Sequence, residues 1–148
     1  MSYHHTQRGP LNRVVLLVAG LQLAAAWAVR GQSPAVAWTL ALAGLLVAFL
    51  GFSFASLTVR DAGDHLRIAF GPLPLLQKRL VYADIRSAQR ARSRFIDGWG
   101  VHYFPGRGWT WNLWGRDCVE LETRRGKLRI GTDDAAGLER HLHGRVQA

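Results

Sequence analysis

The stretch AVAWTLALAGLLVAFLGFSFA, residues 35–55, decides the architecture of this 148-residue chain. It lies in an uncharged segment, 31–59, and its only polar side chains belong to Thr39 and Ser53. A helix rises about 1.5 Å per residue and the hydrocarbon layer of a bilayer is about 30 Å thick, so about 20 apolar residues suffice to cross it. We therefore predict a transmembrane helix at about 34–56.

A second apolar run precedes this helix. Residues 14–29 are uncharged, and the preceding residues extend them to a span at about 11–30 because arginines at its ends can reach the interface. The polar turn between the two runs is so short that the helices must be antiparallel neighbours. The sequence thus predicts a transmembrane hairpin over 11–56, after a polar tail, 1–10, that is disordered or lies at the membrane interface.

The first apolar run also has features of a cleavable signal peptide. Arg8 and Arg13 precede it, and Ala26-Trp27-Ala28 is similar to a cleavage site. However, the run is at the long end for a signal peptide, and a second span follows within a few residues. An uncleaved first helix is therefore the preferred interpretation.

Charge is distributed unevenly along the chain. Residues 1–59 carry three arginines and no acidic residue, whereas 60–148 carry the other sixteen Lys and Arg and all ten Asp and Glu. Because cytoplasmic segments of membrane proteins are enriched in Lys and Arg, both termini are expected in the cytoplasm. The net charge of +9 also favours anionic partners, phospholipid headgroups or nucleic acid, and a membrane anchor makes nucleic acid the less favoured.

After the hairpin, the apolar pattern changes from helical to alternating, with turn residues between the segments. We predict eight short strands, at 57–60, 65–70, 76–82, 86–92, 99–103, 109–113, 118–123 and 127–132. In the last two, Val119 and Leu121 should face the core and pair with apolar residues of the partner strand, while Glu120 and Glu122 should face water.

A helix is predicted after the strands, at about 133–143, with Asp133 as its N-cap and Gly144 closing its C-terminus. Consecutive antiparallel strands followed by one helix predict a small β-barrel or roll that the helix caps. The fold class is then α+β, a membrane hairpin followed by a cytoplasmic domain over 57–148.

A row of basic side chains is the first candidate for a functional surface. Four arginines at even spacing would emerge on one face of a strand, and two basic residues lie in the strand before it; these are Arg86, Arg90, Arg92, Arg94, Lys78 and Arg79. Beside a membrane, each such residue would contribute about 1 kcal/mol to binding anionic headgroups. A solvated strand face that protects an edge from aggregation explains the row equally well.

An aromatic cluster is the second candidate. Six aromatic side chains fall within sixteen residues, Trp99, Tyr103, Phe104, Trp109, Trp111 and Trp114. Core packing is the favoured interpretation for the set as a whole. Trp109, beside the 105–108 turn, could instead enter the membrane interface or anchor a partner.

No catalytic or metal-binding pattern is found in the sequence. It has no P-loop, nucleophile elbow, cluster of metal ligands or evident acid pair. Cys118 is the only cysteine, so an intramolecular disulfide is excluded. We expect no catalytic residue, no metal and no cofactor.

Four stretches carry a family resemblance, LTVRDAGDHLRIAFGP (57–72), RLVYADIRSA (79–88), DGWGVHY (97–103) and GWTWNLWGRDCVELETRRGKLRIGTDD (108–134). With the preceding hairpin, they resemble small bacterial membrane proteins that carry a pleckstrin-homology-like (PH-like) domain after two transmembrane helices. The resemblance implies a strongly bent antiparallel barrel plugged by the C-terminal helix, in a protein of the bacterial inner membrane. It also implies scaffolding or oligomerisation in preference to phosphoinositide binding, and no residue-level role.

The functional expectation is therefore a non-enzymatic membrane protein whose cytoplasmic PH-like domain mediates protein–protein interaction or self-assembly. The alternative is a module that binds anionic phospholipid headgroups through the basic strand face.

Overall fold

A computed structural model describes residues 2–94 and 99–146 of the chain. Within them, three α-helices and nine β-strands follow one another in the order β1, α1, α2, β2–β9, α3. The helices are α1 (Leu11–Val29), α2 (Pro34–Ser53) and α3 (Ala135–Val146), and a short 3-10 helix covers Tyr82–Asp84. The strands are β1 (His4–Arg8), β2 (Ser56–Asp61), β3 (His65–Gly71), β4 (Gln77–Val81), β5 (Ile85–Arg92), β6 (Gly100–Phe104), β7 (Gly108–Asn112), β8 (Asp117–Thr123) and β9 (Gly126–Gly131).

Helices α1 and α2 form a close antiparallel hairpin. Two glycines of α2, Gly44 and Gly51, face α1 at its points of closest approach. A Cβ atom on Gly51 would lie 3.0 Å from Val15 Cγ1, and one on Gly44 would lie 3.1 Å from Leu23 Cγ. Small residues thus allow the two backbones to pack side by side. Two apolar helices followed by a β domain confirm this part of the prediction.

The first sheet has the order β1-β2-β3-β4, with every pair antiparallel. Its edge strand β1 lies in the tail for which no regular structure was predicted, so the prediction of a disordered tail is wrong, and a location at the membrane interface stays a prediction. The reason is a long-range pairing across the hairpin, in which Arg8 lies opposite Ser56 and Ser56 lies opposite Gly71. These three residues lie at the end of the β domain where α1 begins and α2 ends, which we call the hairpin end.

The second sheet has the order β5-β8-β9-β7-β6. The loop 113–116 carries the chain past the position of β9, so β9 returns beside β7 in the same direction, with Trp109 opposite Leu128 and Trp111 opposite Ile130. The prediction of consecutive antiparallel strands is therefore wrong for this parallel pair. Across the described residues the two sheets remain separate and no closed barrel forms, which corrects the predicted barrel.

The core lies between the sheets and α3. As predicted, Val119 lies opposite Ile130 and Leu121 opposite Leu128, and all four are buried. Leu138 and Leu142 of α3 are fully buried against the strands, so the C-terminal helix completes the core. The helix begins two residues later than predicted, at Ala135, and continues past Gly144 to Val146, so the prediction that Gly144 closes it is wrong. Asp134 Oδ1 accepts a hydrogen bond of 3.0 Å from the Gly137 amide, where Asp133 had been predicted.

The hairpin joins the β domain without a linker. Phe54, directly after α2, packs against Phe70 with ring centroids 5.0 Å apart, and Phe70 stacks on Trp111 at 5.7 Å. The Ala55 amide donates a hydrogen bond of 3.0 Å to the Gly71 carbonyl. The end of α2 is therefore packed directly against the core of the domain.

Candidate functional site

The structure brings three of the predicted contact residues together. Lys78 and Arg79 of β4 and Trp109 of β7 line a cleft of about 280 Å³, which Arg125 and Lys127 at the β8–β9 turn also line. Lys78 Nζ lies 6.0 Å from the centroid of the Trp109 ring, within the range of a cation–π contact. A basic cleft with an aromatic wall thus lies where the two sheets face each other.

Acidic neighbours partly neutralise this cleft. Arg79 forms an ion pair with Asp64 at 2.7 Å, and Lys127 lies 3.5 Å from Glu120. The hydrogen bonds that the Asp64 carboxylate accepts from His65 and Arg79 lower the pKa of Asp64 below its usual value. Asp84 is a further acidic side chain of the lining.

The predicted row of arginines does not form one face. The β5–β8 register shifts between Ile85 and Ser87, so Arg86 lies in a bulge and loses the even spacing. Strand β5 ends at Arg92, so Arg94 follows it outside the strand. The single basic face predicted for these residues is therefore wrong.

Ion pairs also divide the row. Arg90 pairs with Glu139 of α3 at 2.8 Å, and Arg92 pairs with Asp117 of β8 at 3.4 Å. Both arginine side chains are largely exposed, so these pairs leave much of their surface open to solvent. Lys78 and Arg79 lie in the other sheet, and the six predicted basic residues therefore occupy two surfaces.

A buried polar network near the C-terminal end of α3 was not predicted. Asp61 lies at its centre, where its Oδ2 accepts a hydrogen bond of 2.6 Å from Arg145 and its Oδ1 accepts one of 3.0 Å from the Tyr82 hydroxyl. His141 Nε2 lies 3.0 Å from the same hydroxyl, and the Tyr3 ring stacks on the imidazole with centroids 5.5 Å apart. Since the hydroxyl proton goes to Asp61, His141 Nε2 is assigned as the donor to Tyr82.

Burial and hydrogen bonding set the protonation states in this network. Burial disfavours the Asp61 carboxylate, but hydrogen bonds from Gly63, Tyr82 and Arg145 outweigh it and lower the pKa of Asp61. Burial also lowers the pKa of His141, against the attraction of Asp61, so the neutral imidazole is favoured. Burial next to a carboxylate raises the pKa of Tyr82.

The network links four separate parts of the chain, namely Tyr3 just before β1, Asp61 at the end of β2, the 3-10 helix and α3. A cavity of about 540 Å³ lies beside it and is lined by Tyr3, His141 and Arg145 among others. A histidine three residues after Leu138, on the apolar side of a helix, was the only sequence signal for this cluster. Its partners are far apart in sequence, so their meeting depends on the tertiary fold.

A buried ion pair on the second sheet corrects one prediction. Glu120 was expected to face water, but it lies opposite Arg129 and accepts hydrogen bonds of 2.7 Å from Nε and 2.5 Å from Nη2. Both side chains are about nine-tenths buried. Burial disfavours the Glu120 carboxylate, but the hydrogen bond from Arg129 and the charges of Arg129 and Lys127 outweigh burial and lower its pKa.

Two helices are long and apolar enough to cross a membrane, α1 with a mean hydropathy of 1.6 and α2 with 2.2. Outside their mutual contact they are largely exposed, with Leu17, Leu42 and Leu46 among the exposed side chains. In the described ranges, 2–94 and 99–146, no group of three or more His, Cys, Asp or Glu side chains is arranged to hold a metal ion.

No protein-family model matches this chain, and no curated protein sequence matches it.

Proposed function

We propose that this chain is a membrane-anchored, non-enzymatic interaction protein. In this proposal α1 and α2 cross the bilayer as a hairpin, and the β domain lies at the cytoplasmic face of a bacterial inner membrane. There it binds either another protein or a second copy of the same chain.

The exposed surface of the hairpin supports membrane insertion. A core helix of a water-soluble domain is mostly buried, whereas α1 and α2 present rows of leucine, valine and phenylalanine to their surroundings. Trp27 and Trp38 are exposed beside the turn between the helices, and the Arg30 guanidinium lies 3.5 Å from the Trp27 ring centroid. Tryptophan and arginine at this level are typical of a membrane interface.

The pairing of β1 with β2 supports two parts of the proposal, that both ends of the hairpin lie on the same side of the membrane and that α1 is not cleaved. Because β1 precedes α1 and pairs with β2 after α2, both ends of the hairpin enter one sheet. An inserted hairpin would then have the N-terminal strand and the β domain on the same side. Cleavage after Ala28 would remove β1 and expose the edge of β2, which favours an uncleaved chain. The basic β domain favours the cytoplasm for that side.

A PH-like relationship is the proposed origin of the domain. Two packed antiparallel-rich sheets and a C-terminal helix that completes the core agree with such an architecture. The parallel β7–β9 pair and the added strand β1 are departures from the simple pattern that the resemblance implies.

The observation that carries the interaction role is an exposed aromatic pair on the β6–β7 hairpin. Tyr103 is 58% exposed and Trp109 is 44% exposed, with ring centroids 5.4 Å apart. They lie near the β6–β7 turn, at the opposite end of β7 from Leu113, which lies beside Gly9 at the hairpin end. Exposed Tyr and Trp are frequent energetic centres of protein interfaces, and β6 is an edge strand of its sheet.

Site-specific photo-cross-linking in native membranes tests this role. A photoreactive amino acid replaces Tyr103 in the full chain, and a matched variant carries it at the exposed Ala136 of α3. We expect a discrete cross-linked product from position 103, at twice the chain mass for self-association or at one other mass for a partner, and none from position 136. Equal products from both positions, or none from position 103, would contradict the proposal.

Headgroup binding is the second candidate, and the position of Arg92 favours it. Arg92 ends β5 opposite Asp117, and the next residue, Ser93, donates a backbone hydrogen bond of 2.7 Å to the Arg116 carbonyl. Leu113 and Trp114 of loop 113–116 lie beside Gly9, so this basic site lies toward the hairpin end. Arg125 in the cleft lies at the other end of β8 and serves as a control.

Lipid selectivity in nanodiscs separates this candidate from the first. The full chain is reconstituted with a fluorescent anionic lipid, and energy transfer from protein to lipid reports enrichment. Headgroup binding predicts that Arg92→Gln lowers the enrichment by several-fold and that Arg125→Gln leaves it unchanged. Equal enrichment in all three proteins would exclude this candidate.

A further inference from the structure

Three exposed leucines lie in the β3–β4 loop, residues 72–76, which we call the leucine loop. Leu73, Leu75 and Leu76 are 43%, 59% and 41% exposed. The loop follows Gly71, which lies opposite Ser56, so it leaves the sheet at the hairpin end. The Phe70 amide donates a hydrogen bond of 3.0 Å to the Leu76 carbonyl and closes the loop at its base.

A tryptophan pair lies on the other side of the hairpin end. Trp99 and Trp114 have ring centroids 4.7 Å apart, and Trp99 is 46% exposed. A Cβ atom on Gly9 would lie 3.5 Å from Trp114 Cβ, and Gln7 Nε2 donates a hydrogen bond of 3.0 Å to the Trp114 carbonyl. The pair therefore lies beside the residues that lead into α1.

The geometry points to a two-part membrane contact on the β domain. We propose that the leucine loop and the Trp99–Trp114 pair both enter the interfacial layer of the bilayer that holds the hairpin. This inference rests on the proposed insertion of α1 and α2. It adds a second contact, through which the domain is held against the lipid at a fixed tilt.

The arrangement of the first sheet explains why lipid is the proposed occupant. The ends of β1 and β2 continue into the hairpin, the leucine loop lies on the β3–β4 side, and the tryptophan pair lies on the β1 side. Both apolar groups thus lie at the end of the sheet from which the two helices extend. If the hairpin is inserted, lipid surrounds it at the hairpin end. Because Phe54 packs against Phe70, no flexible linker separates the β domain from that lipid.

The chemistry of the two groups agrees with an interface. Leucine gains from leaving water, and tryptophan is enriched where hydrocarbon meets headgroups. Arg8 and Arg13 flank the start of α1 on exposed positions, where they can meet anionic headgroups. Trp27 and Trp38 mark the opposite end of the hairpin, so aromatic side chains border the apolar surface at both ends.

Depth-dependent fluorescence quenching tests the contact on the full chain. In a Cys118→Ser background, an environment-sensitive fluorophore is attached to single cysteines at Leu75, Trp99, Leu46 and Ala62. Leu46 is exposed in the middle of α2, and Ala62 is exposed in the β2–β3 turn, at the end of the sheet away from the hairpin. The proteins are reconstituted in phosphatidylcholine–phosphatidylglycerol vesicles that contain spin-labelled lipids with the quencher near the headgroup or deep in the chain.

We expect the Leu75 and Trp99 labels to be quenched at least several-fold more strongly by the shallow quencher than the Ala62 label. The Leu46 label should be quenched most strongly by the deep quencher. If Leu46 is quenched but Leu75 or Trp99 behaves like Ala62, the two-part contact is overturned while hairpin insertion stands. If Leu46 is not quenched, the hairpin is not inserted, and both the inference and the proposed anchoring fail.

Discussion

At the scale of single residues, the Glu120–Arg129 pair shows that a charged residue in an alternating strand can be buried. Alternation along β8 correctly assigned Glu120 to the face opposite Val119 and Leu121. That face is not exposed to water at this position. Arg129 of β9 lies opposite Glu120, and the Glu120 side chain is about nine-tenths buried. A pattern of period two gives the face of a strand, but the burial of that face depends on what covers it.

The first prediction concerns Arg129. We expect Arg129→Ala to destabilise the domain by about 3 kcal/mol, because a buried carboxylate loses its main partner. Lys127 at 3.5 Å keeps the loss near the lower end of the usual range. For a domain of this size, the melting temperature should fall by about 10 °C or more, measured on the full chain in detergent. Arg86→Ala, at an exposed bulge, is the matched control and should change stability by less than about 0.5 kcal/mol. Equal melting temperatures for the two variants would contradict the buried pair.

The second prediction concerns His141, whose surroundings are Asp61, Tyr82, Arg145 and the Tyr3 ring. Burial lowers its pKa in the folded state, so the unfolded chain takes up the proton more readily. The resulting stabilisation is complete above the unfolded pKa of about 6.5 and is lost as the pH falls from there toward the folded pKa.

Melting temperatures between pH 7.5 and pH 5 measure this effect. Wild-type stability should fall over this range more steeply than that of His141→Gln, because glutamine does not titrate. His4→Gln, at an exposed position of β1, should follow the wild-type curve. A His141→Gln curve parallel to the wild type would show that this imidazole does not sense pH.

At the scale of elements, local pattern and turn chemistry located eight of the nine strands and all three helices to within a few residues. Strand β1 was missed because HHTQR has no apolar alternation, and its place in the sheet comes from pairing with β2 across the whole hairpin. The parallel β7–β9 pair was missed for a similar reason. Spacing along the chain does not tell which of two neighbouring edges a later strand will join.

The candidate site was predictable only in part. Lys78, Arg79 and Trp109 were recognised from charge and aromatic content, and the fold brings them to one cleft. The even spacing of the β5 arginines failed because one bulged residue, Arg86, changes the register for the rest of the strand. A single bulged residue leaves no recognisable pattern in the sequence of a strand.

The third prediction tests the packing of the hairpin with two glycines. Gly51→Leu places a side chain where a Cβ alone would lie 3.0 Å from Val15 Cγ1 and 3.1 Å from Leu16 Cδ2, so the helices must separate. Gly20→Leu is the matched control, because, apart from the neighbouring residues and backbone of α1 itself, no atom lies within 4 Å of its Cβ position. Spin labels on α1 and α2 should report a distance increase of several ångströms for Gly51→Leu and none for Gly20→Leu. An unchanged distance in Gly51→Leu would contradict the packing described for α1 and α2.

At the scale of the whole molecule, the chain is organised by one topological fact, the pairing of β1 with β2 on either side of the hairpin. It connects the start of α1 and the end of α2 to one sheet, while Phe54 connects α2 to the core. The helices and the β domain should therefore move together. In the proposed membrane-anchored state, this connection would present the same surfaces of the domain, including the Tyr103–Trp109 pair, to a partner.

The most direct test of this account is the sidedness of three cysteines in oriented membrane vesicles. In a Cys118→Ser background, single cysteines at Ser2, Gln32 and Ala62 are treated with a membrane-impermeant maleimide from one side at a time. If the hairpin crosses the bilayer, Gln32 in the α1–α2 turn should react from one side only, and Ser2 and Ala62 should react only from the other. Reaction of all three positions from the same side would contradict a membrane-spanning hairpin.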